Sequence, residues 1–227
     1  MNIALVLAAG SGTRMNNEQP KQFILVKGKP LFLYSVETFQ NNENIDAIVI
    51  ATNKEFIEQV KELAKGYSKV KSVIAGGETR QQSVYNGLKE IKKFIRDEKD
   101  LVLIHDSARP LVSERIVNEN VALGKQFGAV DTVVQASDTI INSKDKETIN
   151  EILNRSELYQ TQTPQTFEFG IIKKAHERAL KDNVPDVTDD CKLVMHFGVD
   201  VHFAKGDKLN FKVTTPEDLE MFKALVK

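Results

Sequence analysis

Ile3-Ala4-Leu5-Val6-Leu7-Ala8-Ala9-Gly10-Ser11-Gly12-Thr13-Arg14-Met15, followed at short range by Pro20-Lys21, opens this chain. Residues 3–7 are an apolar run of strand length, and they lead straight into a turn of small residues. Gly10 and Gly12 carry no Cβ to screen the backbone N–H groups, so the turn is open to close approach by a phosphate. Arg14 and Lys21 add two fixed cations, placed for charge that develops on phosphorus. A P-loop ends in Gly-Lys-Ser/Thr, and here Gly12 is followed by Thr13-Arg14. A dinucleotide fingerprint requires a small residue at position 15, where Met15 stands. The plainer alternative is a glycine-rich connection with no ligand.

Working outward, short β-branched runs alternate with helical patterns. Residues 3–7, 47–51, 70–75 and 101–105 read as buried strands, and 30–40, 54–65, 80–94 and 113–127 as helices. This alternation predicts an α/β, Rossmann-like fold: a mostly parallel sheet with helices on both faces. Ligands of such sheets sit beyond the carboxyl ends of the strands. The glycine turn, Gly76-Gly77 and the stretch Asp106 to Arg109 each follow a predicted strand directly. Three separate motifs therefore fall on one edge of the sheet.

The region 131–162 differs. Thr132-Val133-Val134, Thr139-Ile140-Ile141 and residues 149–153 read as short strands separated by polar turns. They predict a protruding β-hairpin arm at about 136–160. An isolated hairpin is marginal in water, so the arm calls for a surface to lie on, and a symmetric partner subunit supplies one. Further on, Phe169, Ile172, His176, Ala179 and Leu180 predict one face of a helix, and 201–204 a strand. Thr215-Pro216-Glu217-Asp218 predicts a capping box with Pro at the first helical position. One domain over 1–227 is expected.

Composition narrows the setting. A formal net charge of −1 gives no sign of nucleic acid or of an anionic membrane as partner. No run approaches the roughly 20 apolar residues of a membrane span, and no secretory leader is expected at the apolar start. Cys191 is the single cysteine, read as a small buried helical residue rather than a nucleophile, and it fits a reducing, cytoplasmic compartment. The four histidines show no ligand spacing and read as structural or surface residues, with His105 packed beneath the site.

Further motifs follow in order: Gly76-Gly77-Glu78-Thr79-Arg80-Gln81-Gln82-Ser83-Val84, His105-Asp106-Ser107-Ala108-Arg109-Pro110, Asp138-Thr139, Arg155, Thr163-Pro164-Gln165, Thr188-Asp189-Asp190 and Lys212-Val213-Thr214. Together with the opening loop they resemble the cytidylyltransferases of the methylerythritol-phosphate and ribitol-5-phosphate type, along essentially the whole chain. The resemblance implies a homodimeric enzyme, joined through the arm, that activates a polyol phosphate with CTP and Mg²⁺. A phosphate oxygen of the acceptor attacks the α-phosphorus of CTP in line and pyrophosphate leaves. A phosphomonoester needs no general base, in keeping with the absence of a Ser/His/Asp constellation.

The resemblance also implies roles. Arg14, Lys21 and Lys212 are the expected catalytic cations. Ala8, Ala9, Gly10, Gly12, Gly77, Glu78, Arg80 and Ser83 are expected to bind the nucleotide, the last four reading cytosine. Asp106 and Arg109 are placed near the transferred phosphate and the acceptor, with Thr163 and Thr188 on the polyol. Thr139 and Arg155 are expected to cross to the partner subunit and grip the acceptor's own phosphate. Asp106, at the end of an apolar strand, could also hold Mg²⁺ together with phosphate oxygens. Each has a plainer reading as a turn, cap, surface ion pair or solvated lysine.

The acceptor is divided. Arg80 to Val84 and Thr188 to Asp190 look like the methylerythritol-phosphate enzymes. Gly128 to Thr132, Tyr159 to Thr163 and the lack of a lysine soon after Asp138-Thr139 look like the ribitol type. 2-C-methyl-D-erythritol 4-phosphate, and hence isoprenoid precursor synthesis, is expected. A non-catalytic nucleotide-binding protein would be expected to lose Arg14, Lys21 or Lys212, and all three are present. A nicotinamide-dependent dehydrogenase is disfavoured by Met15 and by Thr52-Asn53 where an acidic residue would close the second strand.

Overall fold

The computed structural model describes residues 1–10 and 20–226. The chain runs through β1 (Asn2–Ala8), the short hairpin β2 (Leu25–Val26) and β3 (Lys29–Pro30), α1 (Leu31–Asn41), β4 (Ala47–Thr52), α2 (Ile57–Ala64), β5 (Val70–Ala75), α3 (Arg80–Ile91), β6 (Leu101–Asp106) and α4 (Glu114–Phe127). It continues through β7 (Ala129–Gln135), β8 (Ile141–Asn142), β9 (Glu151–Ile152), β10 (Tyr159–Glu168), α5 (Phe169–Lys181), α6 (Asp190–His196), β11 (His202–Lys205) and α7 (Pro216–Leu225). Among these residues a seven-stranded sheet has the order β11-β7-β10-β6-β1-β4-β5. Every neighbouring pair is parallel except those made by β10, which is antiparallel to both β6 and β7.

Burial explains why these strands sit centrally. Side chains alternate across a strand. Ile3, Leu5, Val49, Val102 and Ile104 therefore join the core against α3, α5 and α6. Ala4, Val6, Ile48, Ile50 and Leu103 join the core that holds Phe32, Phe39, Val60, Ile116 and Val117 of α1, α2 and α4. Helices cover both faces, as the alternation predicts. On the outside α7 packs Leu219 and Phe222 on Val26, Leu31 and Val213. Its capping box forms, with Thr215 accepting from the Asp218 amide and Asp218 answering at the Thr215 amide. No helix of the described residues is long and apolar enough to cross a membrane.

Three expectations change. Residues 132–134 do not belong to the arm; they lie within β7, deep in the main sheet. And Tyr159–Glu168, polar and interrupted by Pro164, forms a central strand. Its burial is possible because its polar groups find partners. Thr166 donates to Asn120 at 2.9 Å, Asn120 donates to Thr132 at 2.8 Å, and Thr132 donates to the Pro164 carbonyl at 2.6 Å. Pro164 sits where the β7–β10 register shifts, so the N–H it lacks is not missed by the ladder. Leu180, expected on the buried face of α5, is 54% exposed, whereas Phe169, Ile172, His176 and Ala179 are buried.

A short hairpin, β8–β9, lies in the chain between β7 and β10. Asp145 closes its turn by accepting from the amides of Glu147 and Thr148. Ile141, Ile149 and Ile152 are all exposed in this chain.

Candidate active site

The carboxyl ends of β1, β4, β5 and β6 point to one edge. Because β10 runs the other way, its first residues reach the same edge. A cleft of about 490 Å³ opens there. Its walls include Ala9, Gly10, Lys21, Gly77, Glu78, Arg80, Ser83, Asp106 and Lys212. Nine of the residues singled out in the sequence thus meet in one cavity, although they span positions 9 to 212. Arg14 and Gly12 lie outside the described residues. Ala8 is the buried last residue of β1, and its carbonyl accepts from Thr52.

The second glycine turn is built for close approach. A Cβ at Gly76 would stand 2.8 Å from the Ala9 Cβ, and one at Gly77 would stand 2.3 Å from the Gln82 Cβ. Ser83 holds this turn from α3: its hydroxyl accepts from the Gly77 amide at 3.0 Å and donates to the Thr79 carbonyl at 2.9 Å. Thr79 caps α3 by accepting from the Gln82 amide, so the N terminus of that helix opens on the cleft.

Charge converges on Asp106. Lys212 donates to Oδ2 at 2.6 Å, and Arg80 Nε donates to Oδ1 at 3.3 Å. Arg80 also pairs with Asp190, which is 2% exposed. Burial by itself would raise the Asp106 pKa, but Arg80 and then Lys212 outweigh it and hold the carboxyl well below the usual carboxylate range. Burial would likewise discharge Arg80, and Asp190 and Asp106 reverse the effect, keeping it cationic. At the wall of the cleft the Arg80 guanidinium bridges these two carboxylates. Lys21 donates to the Val213 carbonyl at 3.1 Å, which brings the loop after β1 to the segment carrying Lys212.

Thr163 and Arg109 make hydrogen bonds within the chain beside the cleft. Thr163 is buried, and its hydroxyl is taken by the Asp106 amide and by His105. Arg109 donates from Nη1 and Nη2 to the carbonyls of Asn210 and Thr161, at 2.8 and 3.2 Å, tying the segment before Lys212 to β10. His105 is fully buried, and its pKa is lowered to about 4, first by that burial, so the ring is neutral. Thr188 is exposed in the loop before α6. Thr139 is exposed at the foot of the arm, and Arg155 donates to the Ser137 carbonyl there at 3.0 Å. Neither of these two lines the cleft of its own chain. Asn53, Gln22, Thr79 and Ser107 line it too. Sequence reasoning missed them; the position of Asn53, just past β4, was the available signal.

The cleft thus joins a glycine-lined wall to three cations and a carboxylate, a combination suited to holding and reacting polyphosphate. The model of the 2-C-methyl-D-erythritol 4-phosphate cytidylyltransferase family matches residues 2–227. This chain belongs to that family. It is 41% identical over 228 residues to the 2-C-methyl-D-erythritol 4-phosphate cytidylyltransferase of Clostridium novyi, covering 99% of this chain and 96% of that one. It is 37% identical over 229 residues to the ribitol-5-phosphate cytidylyltransferase of Vibrio parahaemolyticus, covering 100% and 96%. The crystal structure of 4-diphosphocytidyl-2C-methyl-D-erythritol synthase from Anaerococcus prevotii superposes with a TM-score of 0.84 at 30% identity, over 98% of this chain and 94% of that one. As a member of the family this chain is a CTP-dependent cytidylyltransferase of α/β fold.

Proposed function

We propose that this cytidylyltransferase, a single domain over 1–227, acts on 2-C-methyl-D-erythritol 4-phosphate. The products are 4-diphosphocytidyl-2-C-methyl-D-erythritol and pyrophosphate, a step of isoprenoid precursor synthesis. The observation that carries the reading is the meeting of Lys21, Lys212, Arg80 and Asp106 with the glycine-lined wall of one cleft. The base and ribose lie along Ala8, Ala9, Gly77, Glu78 and Ser83, and the triphosphate lies along Gly10 and Gly12. An oxygen of the acceptor phosphate forms a bond to the α-phosphorus. The bond from that phosphorus to the bridging oxygen breaks, and its electron pair leaves with pyrophosphate. Arg14, Lys21 and Lys212 neutralise the charge that gathers on the equatorial oxygens, an interaction strongest in the transition state.

Mg²⁺ fits this site through Asp106. The described residues hold no group of three or more metal-ligating side chains, but Mg²⁺ commonly takes one carboxylate and completes its shell with phosphate oxygens and water. Asp106 is ionised, and Lys212 is 41% exposed at its side chain, so Lys212 can yield Oδ2 and turn to phosphate. The ion, when bound, neutralises triphosphate charge.

The arm serves a homodimer in this reading. Thr139 and Arg155, outside the cleft of their own chain, reach the acceptor phosphate in the partner subunit, Arg155 through bidentate hydrogen bonds. Thr188 contacts the polyol, and Arg109 and Thr163 shape that side from within.

D-ribitol 5-phosphate is the second reading. Ribitol-5-phosphate cytidylyltransferases are 36–37% identical to this chain along its length. Pyrophosphate release from CTP and Mg²⁺, measured with each acceptor side by side, decides. Turnover with 2-C-methyl-D-erythritol 4-phosphate alone is expected; turnover with D-ribitol 5-phosphate alone would overturn the acceptor.

A further inference from the structure

The turn after β6 carries Asp106 and Arg109, and one side chain holds its backbone at both ends from below. His105 lies fully buried at the end of β6, with Phe39 packed edge-on at 5.3 Å between ring centroids. Its Nε2 is 3.1 Å from the Arg109 carbonyl oxygen, and its Nδ1 is 3.0 Å from Thr163 Oγ1. A carbonyl oxygen only accepts, so Nε2 carries the hydrogen. Nδ1 of the neutral ring is then a lone pair, and the Thr163 hydroxyl donates to it. The Thr163 oxygen keeps lone pairs for the Asp106 N–H, 3.1 Å away. Every donor in the chain of bonds is assigned: Asp106 amide to Thr163, Thr163 to His105, His105 to Arg109. The Asp106 carbonyl accepts from the Arg109 amide at 2.9 Å and closes the turn.

We propose that His105, acting through Thr163, is a positioning residue for nucleotidyl transfer: as the Nε2–H tautomer it fixes the backbone from which Asp106 and Arg109 project, and touches neither substrate. The role rests on the proposed function in so far as Asp106 serves the transfer. The carboxylate of Asp106 is held from the cleft side by Arg80 and Lys212, and its peptide is held from the core side by this relay. Both are needed, because a displacement of about 1 Å in a group that positions phosphate can cost on the order of 100-fold in rate. Thr163 in this view is a link in the relay, since its one hydroxyl hydrogen is already donated inward.

The test uses the full-length protein with Thr163→Val, Thr163→Ser, His105→Asn and the Thr163→Val/His105→Asn double variant. Thr163→Val and His105→Asn should each lower kcat by about 10- to 100-fold. CTP affinity and the KM for the acceptor should stay unchanged. Thr163→Ser, which keeps the hydroxyl, should recover most of the rate. The double variant should lose no more than either single one, because both break one relay. Imidazole ¹⁵N spectra of the wild type should show His105 as the Nε2–H tautomer, and the Asp106 amide should lose exchange protection in Thr163→Val. An Nδ1–H tautomer, an unchanged kcat in Thr163→Val, a raised acceptor KM as its only effect, or additive losses in the double variant would each overturn the role. The Thr163 pair and the spectra suffice if His105→Asn fails to fold. No release by the wild type with either acceptor would overturn the proposed function and this role with it; an active wild type with an unchanged Thr163→Val overturns this role alone.

Discussion

The Lys212 ammonium donates to Asp106 Oδ2 at 2.6 Å, although 106 positions separate the two residues in the chain. The contact carries the segment before α7 across to the end of β6 and places a cation at the mouth of the cleft. Removing it should act on the reaction more than on binding. Lys212→Ala is expected to lower kcat by about 100-fold or more while CTP affinity holds, since a charge aimed at the developing transition state contributes little to the ground state. Single-turnover rates beside CTP titration check this; equal losses in both would make Lys212 an ordinary binding residue.

Arg80 is paired with two carboxylates, one of them almost fully buried. Arg80→Ala leaves Asp190 and Asp106 without that compensation. The expected loss is about 3–5 kcal/mol of stability, the range found when one partner of a buried ion pair is removed. Urea unfolding measures it. A loss below about 1 kcal/mol would show that Arg80 is chiefly a ligand contact, as the sequence first suggested.

Gly77 has no room for a side chain. With Gln82 Cβ 2.3 Å from where a Cβ would stand, Gly77→Ala must shift the turn or α3. CTP binding is expected to fall sharply with the fold intact, read by isothermal titration and circular dichroism together. Undiminished binding would remove this turn from the nucleotide site.

Asp131 gives a pH signature. Burial, the largest influence, raises its pKa to about 7; a hydrogen bond from Gln165 opposes this and Asp189 adds to it. Between the ordinary value of 3.8 and about 7 the folded chain holds a proton that the unfolded chain has lost. Stability from this group is therefore full below pH 4 and falls as pH rises toward 7. Asp131→Asn should raise Tm at pH 8 and change it little at pH 4. Equal shifts at both would mean that Asp131 ionises normally in the fold.

Arg155 tests the arm. If it serves the partner's acceptor site, Arg155→Ala raises the acceptor KM and leaves CTP affinity alone. Mixing it with Lys212→Ala should then restore activity, because a mixed dimer holds one site with both residues intact. No restoration after subunit exchange would place Arg155 in the site of its own chain.

The sequence by itself determined the parallel half of the sheet, the helices on its two faces and the edge on which the site forms. Apolar runs buried on both faces, such as residues 3–7 and 101–104, and caps such as Thr215 with Asp218 are local signals, and they are legible because the forces behind them act over a few residues. The turn at Gly76-Gly77 was legible for the same reason. Tertiary structure alone decided the rest. Polar Tyr159–Glu168 became a central antiparallel strand because Asn120 and Thr132, far off in sequence, satisfy its buried groups. Arg80 became a bridge, and Thr163 a link to His105, because α6 and β6 fold against them. A hydrogen bond or ion pair between distant residues leaves no periodicity in the sequence. It exists only once the sheet has set its partners a few ångströms apart.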